Sequence, residues 1–136
     1  MPYKKGSGLT LIEVLIVIII LGILSGLALP QFNKSKERSL AREAKANLKR
    51  IAEAQKNYNL ENDGYYPGSG NVTDINTINS NLNVMLIETN WDYFINSTIA
   101  ADYTAYANRA GTSGYLDCEY SLSYNADEPT PNSSCP

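Results

Sequence analysis

The segment over residues 8–30, "GLTLIEVLIVIIILGILSGLALP", constrains this chain more than any other feature of its sequence. Residues 14–29 contain no charged side chain, and Ser25 is the only polar residue among them. As a helix, about 20 residues span roughly 30 Å, the thickness of the hydrocarbon core of a bilayer. The segment therefore predicts a membrane-spanning helix, and the carboxylate of Glu13 near its beginning is a costly exception to its apolar character.

The residues around this segment indicate its orientation. The short leader "MPYKKGSG" is basic, whereas a secretory signal would have a shorter apolar core followed by a small-residue cleavage site. Cations remain on the cytoplasmic side of a membrane, so Lys4 and Lys5 predict a cytoplasmic N-terminus with the rest of the chain outside. Lys34, Lys36 and Arg38 lie beyond the apolar segment and weaken this prediction.

Residues 22–30 predict a stretch of lower helix stability within the apolar helix. Gly22 and Gly26 have the small-xxx-small spacing that lets two helices approach closely. Glycine also destabilises a helix by up to about 1 kcal/mol relative to alanine. Pro30 removes a backbone hydrogen bond, so we expect a kink near it.

The helical pattern continues beyond Pro30. Apolar and neutral residues recur every three or four positions, while mixed charges occupy the other faces. We therefore predict one helix over residues 9–59, apolar all round in its first half and amphipathic in its second. The predicted buried stripe consists of Leu40, Ala44, Leu48, Ile51, Gln55 and Tyr58.

The remaining chain is rich in short β-type segments. "WDYFINSTIA", "DYTAYANRA" and "GYLDCEYSLSYN" favour strands, and "RAGTSGY" favours a hairpin turn between the last two. Residues 82–87 suit a short helix or strand, and "NADEPTPNSSCP" suits a loop. A chain of 136 residues has room for one domain. We expect an α+β fold in which three or four antiparallel strands pack on the amphipathic half of the helix.

Charge and residue content exclude several classes of function. Arg109 is the only basic residue after Lys56, so the globular part is acidic and is not typical of a nucleic-acid-binding protein. The chain has no histidine, the commonest general base, and it has no P-loop, GxGxxG or GxSxG motif. These observations argue against an enzyme and predict no cofactor.

Cys118 and Cys135 both lie near the C-terminus. Two thiols in a domain outside the cytoplasm favour one disulfide that closes a loop, and two free thiols are the alternative. The candidate calcium ligands of the same region, a weaker hypothesis because no EF-hand spacing is present, are Asp117, Glu119, Asn125, Asp127 and Glu128.

The N-terminal segment resembles the type IV pilins and the pseudopilins of type II secretion systems. The family pattern is a short basic leader, a glycine, an apolar residue, then Thr-Leu-Ile-Glu and a long apolar helix that ends in proline. Residues 4–32 match this pattern, with Leu9 where phenylalanine is usual. A weaker resemblance extends to "YYP" at residues 65–67.

The resemblance implies that a prepilin peptidase cleaves between Gly8 and Leu9 and methylates the new amino group of Leu9. It also implies that Glu13 meets the N-terminal amine of a neighbouring subunit. Gly22, Gly26 and Pro30 would give the helix flexibility. Cys118 and Cys135 resemble the pair that bounds the C-terminal loop of many type IV pilins.

The implied organisation is a leader at residues 1–8, a membrane and filament-core helix at residues 9–30 and an external pilin domain at residues 31–136. The implied location is the inner membrane before assembly and an extracellular filament afterwards. The implied partners are other copies of the chain in a helical homopolymer, the peptidase and the pilus assembly machinery. A pseudopilin, a minor pilin and a competence pilin are the open alternatives, as are roles in adhesion, twitching motility, DNA uptake or secretion.

Overall fold

The computed structural model describes residues 8–111 and 115–135, and at residues 27–30 it describes the backbone alone. The chain divides into two compact units, at the boundary between Lys36 and Glu37. Its elements in chain order are helix α1 (Leu11–Asn62), strand β1 (Gly70–Val72), helix α2 (Ile75–Leu82), and strands β2 (Trp91–Ser97), β3 (Thr104–Arg109), β4 (Glu119–Ser123) and β5 (Thr130–Pro131).

Helix α1 begins two residues later and ends three residues later than predicted. It ends where Asp63 adopts a positive φ of 55°, a conformation that an acidic side chain tolerates better than most. The Asp63 amide still donates to the carbonyl of Asn59 at 2.9 Å, which closes the last turn. The side-chain amide of Asn62 donates to the carbonyl of Tyr58 and satisfies another acceptor of that turn.

The five strands form one antiparallel sheet in the order β1-β2-β3-β4-β5. Strands β2, β3 and β4 lie in the three predicted segments, so the predicted α+β arrangement is confirmed. Buried and less buried positions alternate along each of these strands, which leaves one face of the sheet for the core. The hairpin turn predicted over "RAGTSGY" includes residues 112–114, which lie outside the described residues.

Two short edge strands and the position of helix α2 differ from the prediction. Strand β5 lies in the predicted C-terminal loop, and Pro131 is tolerated there because an edge strand needs no amide donor on its outer side. Helix α2 ends at Leu82, where the predicted segment 82–87 begins. It forms because Asp74 caps its first turn by accepting from the Thr77 amide at 2.8 Å, while Asn83 closes its last turn in the left-handed conformation.

The core of the second unit lies between α1 and the sheet. Four residues of the predicted stripe are completely buried, and Leu40 and Tyr58 are partly buried against them. From the sheet, Ala105 and Ala107 of β3 present small side chains, which gives room for larger neighbours on the flanking strands. The residues with no exposed surface on the stripe are Ala44, Leu48, Ile51 and Gln55.

Candidate functional sites

Helix α1 begins with a reciprocal pair of hydrogen bonds between Thr10 and Glu13. The Glu13 amide donates to the Thr10 hydroxyl at 3.4 Å, and the Thr10 amide donates to Glu13 Oε2 at 3.4 Å. The Glu13 and Val14 amides also donate to the Thr10 carbonyl, at 3.1 and 3.2 Å. This arrangement is a capping box, which satisfies donors that the first turn of a helix otherwise leaves unpaired. The T-x-x-E spacing at residues 10–13 is the sequence signature of a capping box, which the sequence analysis did not predict.

The predicted processing site lies immediately before this box. Leu9 is 74% exposed, and a Cβ atom added to Gly8 would meet nothing within 4 Å. The peptide bond between the two residues precedes the first residue of α1. A substitution at Gly8 would therefore disturb no packing in the described chain, which makes this position suitable for testing cleavage. The rest of the predicted leader, residues 1–7, lies outside the described residues.

The first part of α1 exposes apolar side chains on every face. Val14, Leu15 and Ile16, for example, leave 49%, 45% and 50% of their surfaces uncovered. A soluble monomer rarely leaves so large a contiguous apolar surface exposed. Within the described residues, no single helix is long and apolar enough to cross a membrane, but Leu11–Gly26 and Gln31–Asn62 meet the requirement together as a bent pair.

The predicted flexible positions lie within this apolar helix. A Cβ atom added to Gly22 or Gly26 would meet nothing within 4 Å, so packing against the described residues requires neither glycine. Between them, the Ser25 hydroxyl donates to the carbonyl of Leu21 at 2.7 Å. The one polar side chain of the run thus satisfies its donor within the helix, as such residues do in apolar surroundings. Pro30 lies within the backbone of α1.

The predicted disulfide between Cys118 and Cys135 is present, with 4.6 Å between the two Cα atoms. It joins the residue before β4 to the end of the described chain and encloses β4 and β5. The buried Cys118 is also tied to the sheet, because its carbonyl accepts a hydrogen bond from the Arg109 amide at 2.9 Å. Two further bonds hold the returning strand: Asn132 donates from its backbone to the Glu119 carbonyl and from its side chain to the Asp117 carbonyl.

The candidate calcium ligands are spread over this C-terminal region. Asp117 is exposed just before β4, Glu119 is half-buried in that strand, and Asp127 is exposed in the connection to β5. Asn125 and Glu128 are exposed in the same connection, and Glu128 forms an ion pair with Lys49. Over residues 8–111 and 115–135, no group of three or more His, Cys, Asp or Glu side chains could hold a metal ion.

A buried ion pair between Glu37 and Arg109 connects α1 to the end of β3. Arg109 Nε and Nη2 donate to the two carboxylate oxygens of Glu37 at 3.1 and 3.2 Å. Its Nη1 donates to the carbonyls of Asn90 and Ala110, and the guanidinium group lies 5.7 Å from the ring centre of Trp91. Every charged atom of the pair therefore has a partner, which a buried pair needs to offset its desolvation.

Sequence reasoning missed this pair although each partner carried a signal. Glu37 lies one helical turn before Leu40 and Ala41, so it continues the buried stripe. Arg109 is the isolated cation of an acidic half. Because the two residues lie 72 positions apart in the sequence, no local pattern indicates that they pair.

Three further polar contacts hold α1 against the rest of the second unit. The Trp91 indole donates to the Leu40 carbonyl at 2.9 Å, and the Asn47 amide donates to the Tyr93 hydroxyl at 2.8 Å. Lys45 Nζ lies 5.2 Å from the ring centre of Tyr120. Burial raises the pKa of Tyr93 to about 12, against the opposing effect of the Asn47 hydrogen bond, so this phenol is neutral at physiological pH.

The buried side chain of Gln55 fixes the loop that follows α1. Its Nε2 donates to the Tyr66 carbonyl at 2.6 Å, and its Oε1 accepts from the Tyr66 amide at 2.9 Å. One side chain thereby satisfies both backbone groups of a residue in the "YYP" segment. The position was predicted to be on the stripe, but its role in ordering the loop was not.

Comparisons with known proteins concern mainly the N-terminal part of the chain. A family model described as "Prokaryotic N-terminal methylation motif" matches residues 3–29. The Type IV major pilin protein PilA of Myxococcus xanthus is 48% identical over 61 residues, which are 45% of this chain and 28% of that protein.

Two further relatives are type II secretion system core protein G of Pseudomonas aeruginosa and of Aeromonas hydrophila. They are 40% and 37% identical over 65 residues, which are 48% of this chain and 46% of each relative. The chain thus spans less than half the length of each of these curated relatives.

Proposed function

We propose that this chain, which belongs to the type IV pilin and type II secretion pseudopilin family, is a structural subunit of a type IV pilus. In this proposal it is cleaved after Gly8, N-methylated at Leu9 and assembled helically through its apolar helix. The observation that carries the proposal is the uncovered apolar surface of α1, which begins directly after the processing site. Its work is mechanical and adhesive rather than catalytic.

The exposed surface needs an apolar environment at each stage of the life of the subunit. Burial of apolar surface contributes about 25 cal/mol per Å², so side chains such as Ile18 and Leu21, which are 59% and 56% exposed, strongly disfavour water. Lipid covers them before assembly. In the filament, the same helix of neighbouring copies covers them, which makes the partner a second copy of this chain.

Glu13 then links the addition of a subunit to the pairing of its own negative charge. Among the residues that the structure describes, its carboxylate accepts only the long hydrogen bond from the Thr10 amide, and the residues that follow it in the sequence are apolar. A charged side chain at the centre of a membrane helix costs on the order of 2.5–3.5 kcal/mol by insertion scales, and an unpaired carboxylate in the first turn of such a helix is also unfavourable. The cleaved amine of Leu9 on a neighbouring copy supplies a cation, so addition of a subunit satisfies the charge and sets the axial register.

The proposed organisation assigns residues 1–8 to the leader, residues 9–30 to the membrane and filament core, and residues 31–136 to the external domain. The subunit crosses the inner membrane once, with its N-terminus in the cytoplasm, and later lies in an extracellular filament. Its partners are prepilin peptidase, the pilus assembly machinery and other copies of itself. Gly22, Gly26 and Pro30 give the core helix the capacity to extend.

The C-terminal disulfide supports a pilus subunit over a pseudopilin. The bond between Cys118 and Cys135 closes a loop that holds β4 and β5. By the chain-entropy estimate, a closed loop of this size stabilises the folded state by about 3 kcal/mol. Such reinforcement suits a surface that is exposed to shear outside the cell.

The second candidate function is a pseudopilin of a type II secretion system. Two relatives carry the name core protein G, and each shares 46% of its length with this chain. A pseudopilin would be processed at the same bond and would use the same apolar helix. The two functions differ in where the assembled protein accumulates.

A clean deletion of the gene, complemented with the wild-type chain, separates these functions. A pilus subunit predicts that surface filaments disappear in electron micrographs and that complementation restores them, while secretion of exoproteins is unchanged. The opposite pattern, with intact surface filaments and lost secretion, would assign the chain to the secretion system.

A further inference from the structure

Three cations follow the apolar segment on the side opposite the leader: Lys34, Lys36 and Arg38, here called the basic segment. All three side chains are exposed, and none has a hydrogen bond or ion pair among the described residues. Cations on this side oppose the orientation that Lys4 and Lys5 favour. Their position therefore works against insertion and calls for a separate explanation.

Glu37 is the only acidic residue within this stretch, and it does not neutralise its neighbours. Its side chain is buried and paired with both Arg109 Nε and Arg109 Nη2. Because the carboxylate of Glu37 is buried and paired with Arg109, three exposed and unpaired positive charges remain within five consecutive residues. The sequence alone, with Glu37 between Lys36 and Arg38, would suggest partial neutralisation.

The basic segment also lies where lipid headgroups would be. It begins four residues and ends eight residues after Pro30 in the sequence, directly beyond the apolar segment. Long basic side chains reach back toward the interface while their stems cover apolar surface. Phe32, which is 67% exposed, precedes them and extends the exposed apolar surface up to the basic segment.

We propose that the basic segment binds the phosphate groups of anionic phospholipids, such as phosphatidylglycerol, on the outer face of the inner membrane. This inference rests on the proposed membrane stage of the subunit and adds a lipid specificity to it. Binding holds the unassembled subunit in the membrane until assembly draws the cations away from the headgroups. Adjacency to the apolar segment favours this partner over the acidic surface of a second copy.

The test measures lipid selectivity of the full chain reconstituted in phosphatidylcholine vesicles. Spin-labelled phosphatidylglycerol and spin-labelled phosphatidylcholine are added separately, and electron paramagnetic resonance gives the ratio of their association with the protein. One variant combines Lys34→Gln, Lys36→Gln and Arg38→Gln. The matched control combines Arg42→Gln, Arg50→Gln and Lys56→Gln, which removes three exposed cations of the same helix. Like those of the basic segment, they form no ion pair among the described residues, but they lie farther from the apolar segment.

The wild-type chain and the control should prefer phosphatidylglycerol at low salt, and the preference should weaken at high salt because the contacts are electrostatic. Substitution of the basic segment should lower the ratio by at least about fivefold, the factor that one cation near an anionic surface contributes. The leader cations are present in all three proteins, so they contribute equally to each ratio.

Equal ratios for the two triple variants would overturn the lipid proposal while leaving the membrane stage intact. If, in addition, only the basic-segment variant lost filaments in cells, its cations would be assigned to a second copy. A wild-type chain that failed to co-float with neutral vesicles would instead contradict the proposed function itself.

Discussion

Thr10 and Glu13 form a reciprocal cap at the start of α1, each donating a backbone amide to the side chain of the other at 3.4 Å. Glu13 therefore has a structural partner inside its own chain, in addition to the amine of a neighbouring copy that we propose for it. The two roles predict different effects of removing the Thr10 hydroxyl. If Glu13 acted only as a cap, loss of the Thr10 hydroxyl would be as harmful as loss of the Glu13 carboxylate.

The substitution Glu13→Val should leave insertion and cleavage intact but abolish most filament formation. Valine removes the charge that the Leu9 amine of the next subunit would meet, and it is compatible with an apolar helix. The measurement is the yield of sheared filaments together with the processed fraction in membranes. A wild-type filament yield would remove the role assigned to Glu13.

The matched control is Thr10→Ala, with Thr10→Ser as its conservative counterpart. Alanine removes the capping hydroxyl at a cost of about 1 kcal/mol to the helix, and serine retains it. We expect filament yields close to wild type for both variants. A yield after Thr10→Ala as low as that after Glu13→Val would reduce Glu13 to a capping residue.

The substitution Gly8→Ala should leave an unprocessed precursor in the membrane. Since an added Cβ atom would meet nothing within 4 Å, any effect reports recognition by the peptidase rather than misfolding. Intact mass of the membrane-bound chain measures processing directly. Gly22→Ala, which also meets open space, should be cleaved normally, and normal cleavage of the Gly8 variant would refute the assigned site.

Substitution of Glu37 should destabilise the second unit. Glu37→Ala leaves the buried guanidinium of Arg109 without its anion, and loss of one partner of a buried pair costs about 3–5 kcal/mol. Thermal unfolding of the full chain in detergent should show a lower midpoint. Glu53→Gln, an exposed carboxylate on the same helix, should change the stability by less than about 0.5 kcal/mol. Equal midpoints for both variants would contradict the importance of the buried pair.

The buried tyrosines predict a loss of stability at high pH. Burial raises the pKa of Tyr93 and of Tyr103 from 10.0 to about 12. Between these values the unfolded chain releases phenol protons that the folded chain retains, so stability is complete below pH 10 and falls as the pH rises toward 12. Denaturant unfolding at pH 9, 10 and 11 measures this slope. Tyr93→Phe should make the slope shallower, and an unchanged slope would refute the assignment.

Much of the fold was predictable because its signals are local. The period of apolar residues located α1 and the four buried positions from Ala44 to Gln55, and alternation located β2, β3 and β4. The displaced helix α2 could also have been found. Ile75, Ile78 and Leu82 recur at helical spacing after the capping residue Asp74, although the many asparagines between them lower the intrinsic helix propensity.

Other features depend on contacts between distant residues, and no local pattern specifies them. Strand β1 exists because Asn71 and Val72 pair with Asn96 and Ile95, and its glycine is otherwise typical of a turn. The pairing of Glu37 with Arg109 likewise requires the register of the sheet against α1. The capping box at Thr10 differs from these, since its four-residue spacing was readable from the sequence.

The intact mass of the chain in filaments sheared from the cell surface tests the central claim most directly. We expect the protein to be abundant there, to begin at N-methylated Leu9 and to carry the oxidised pair Cys118 and Cys135. Sheared material that lacks the chain, while the processed form remains in the membrane fraction, would contradict its assignment as a subunit of a surface pilus.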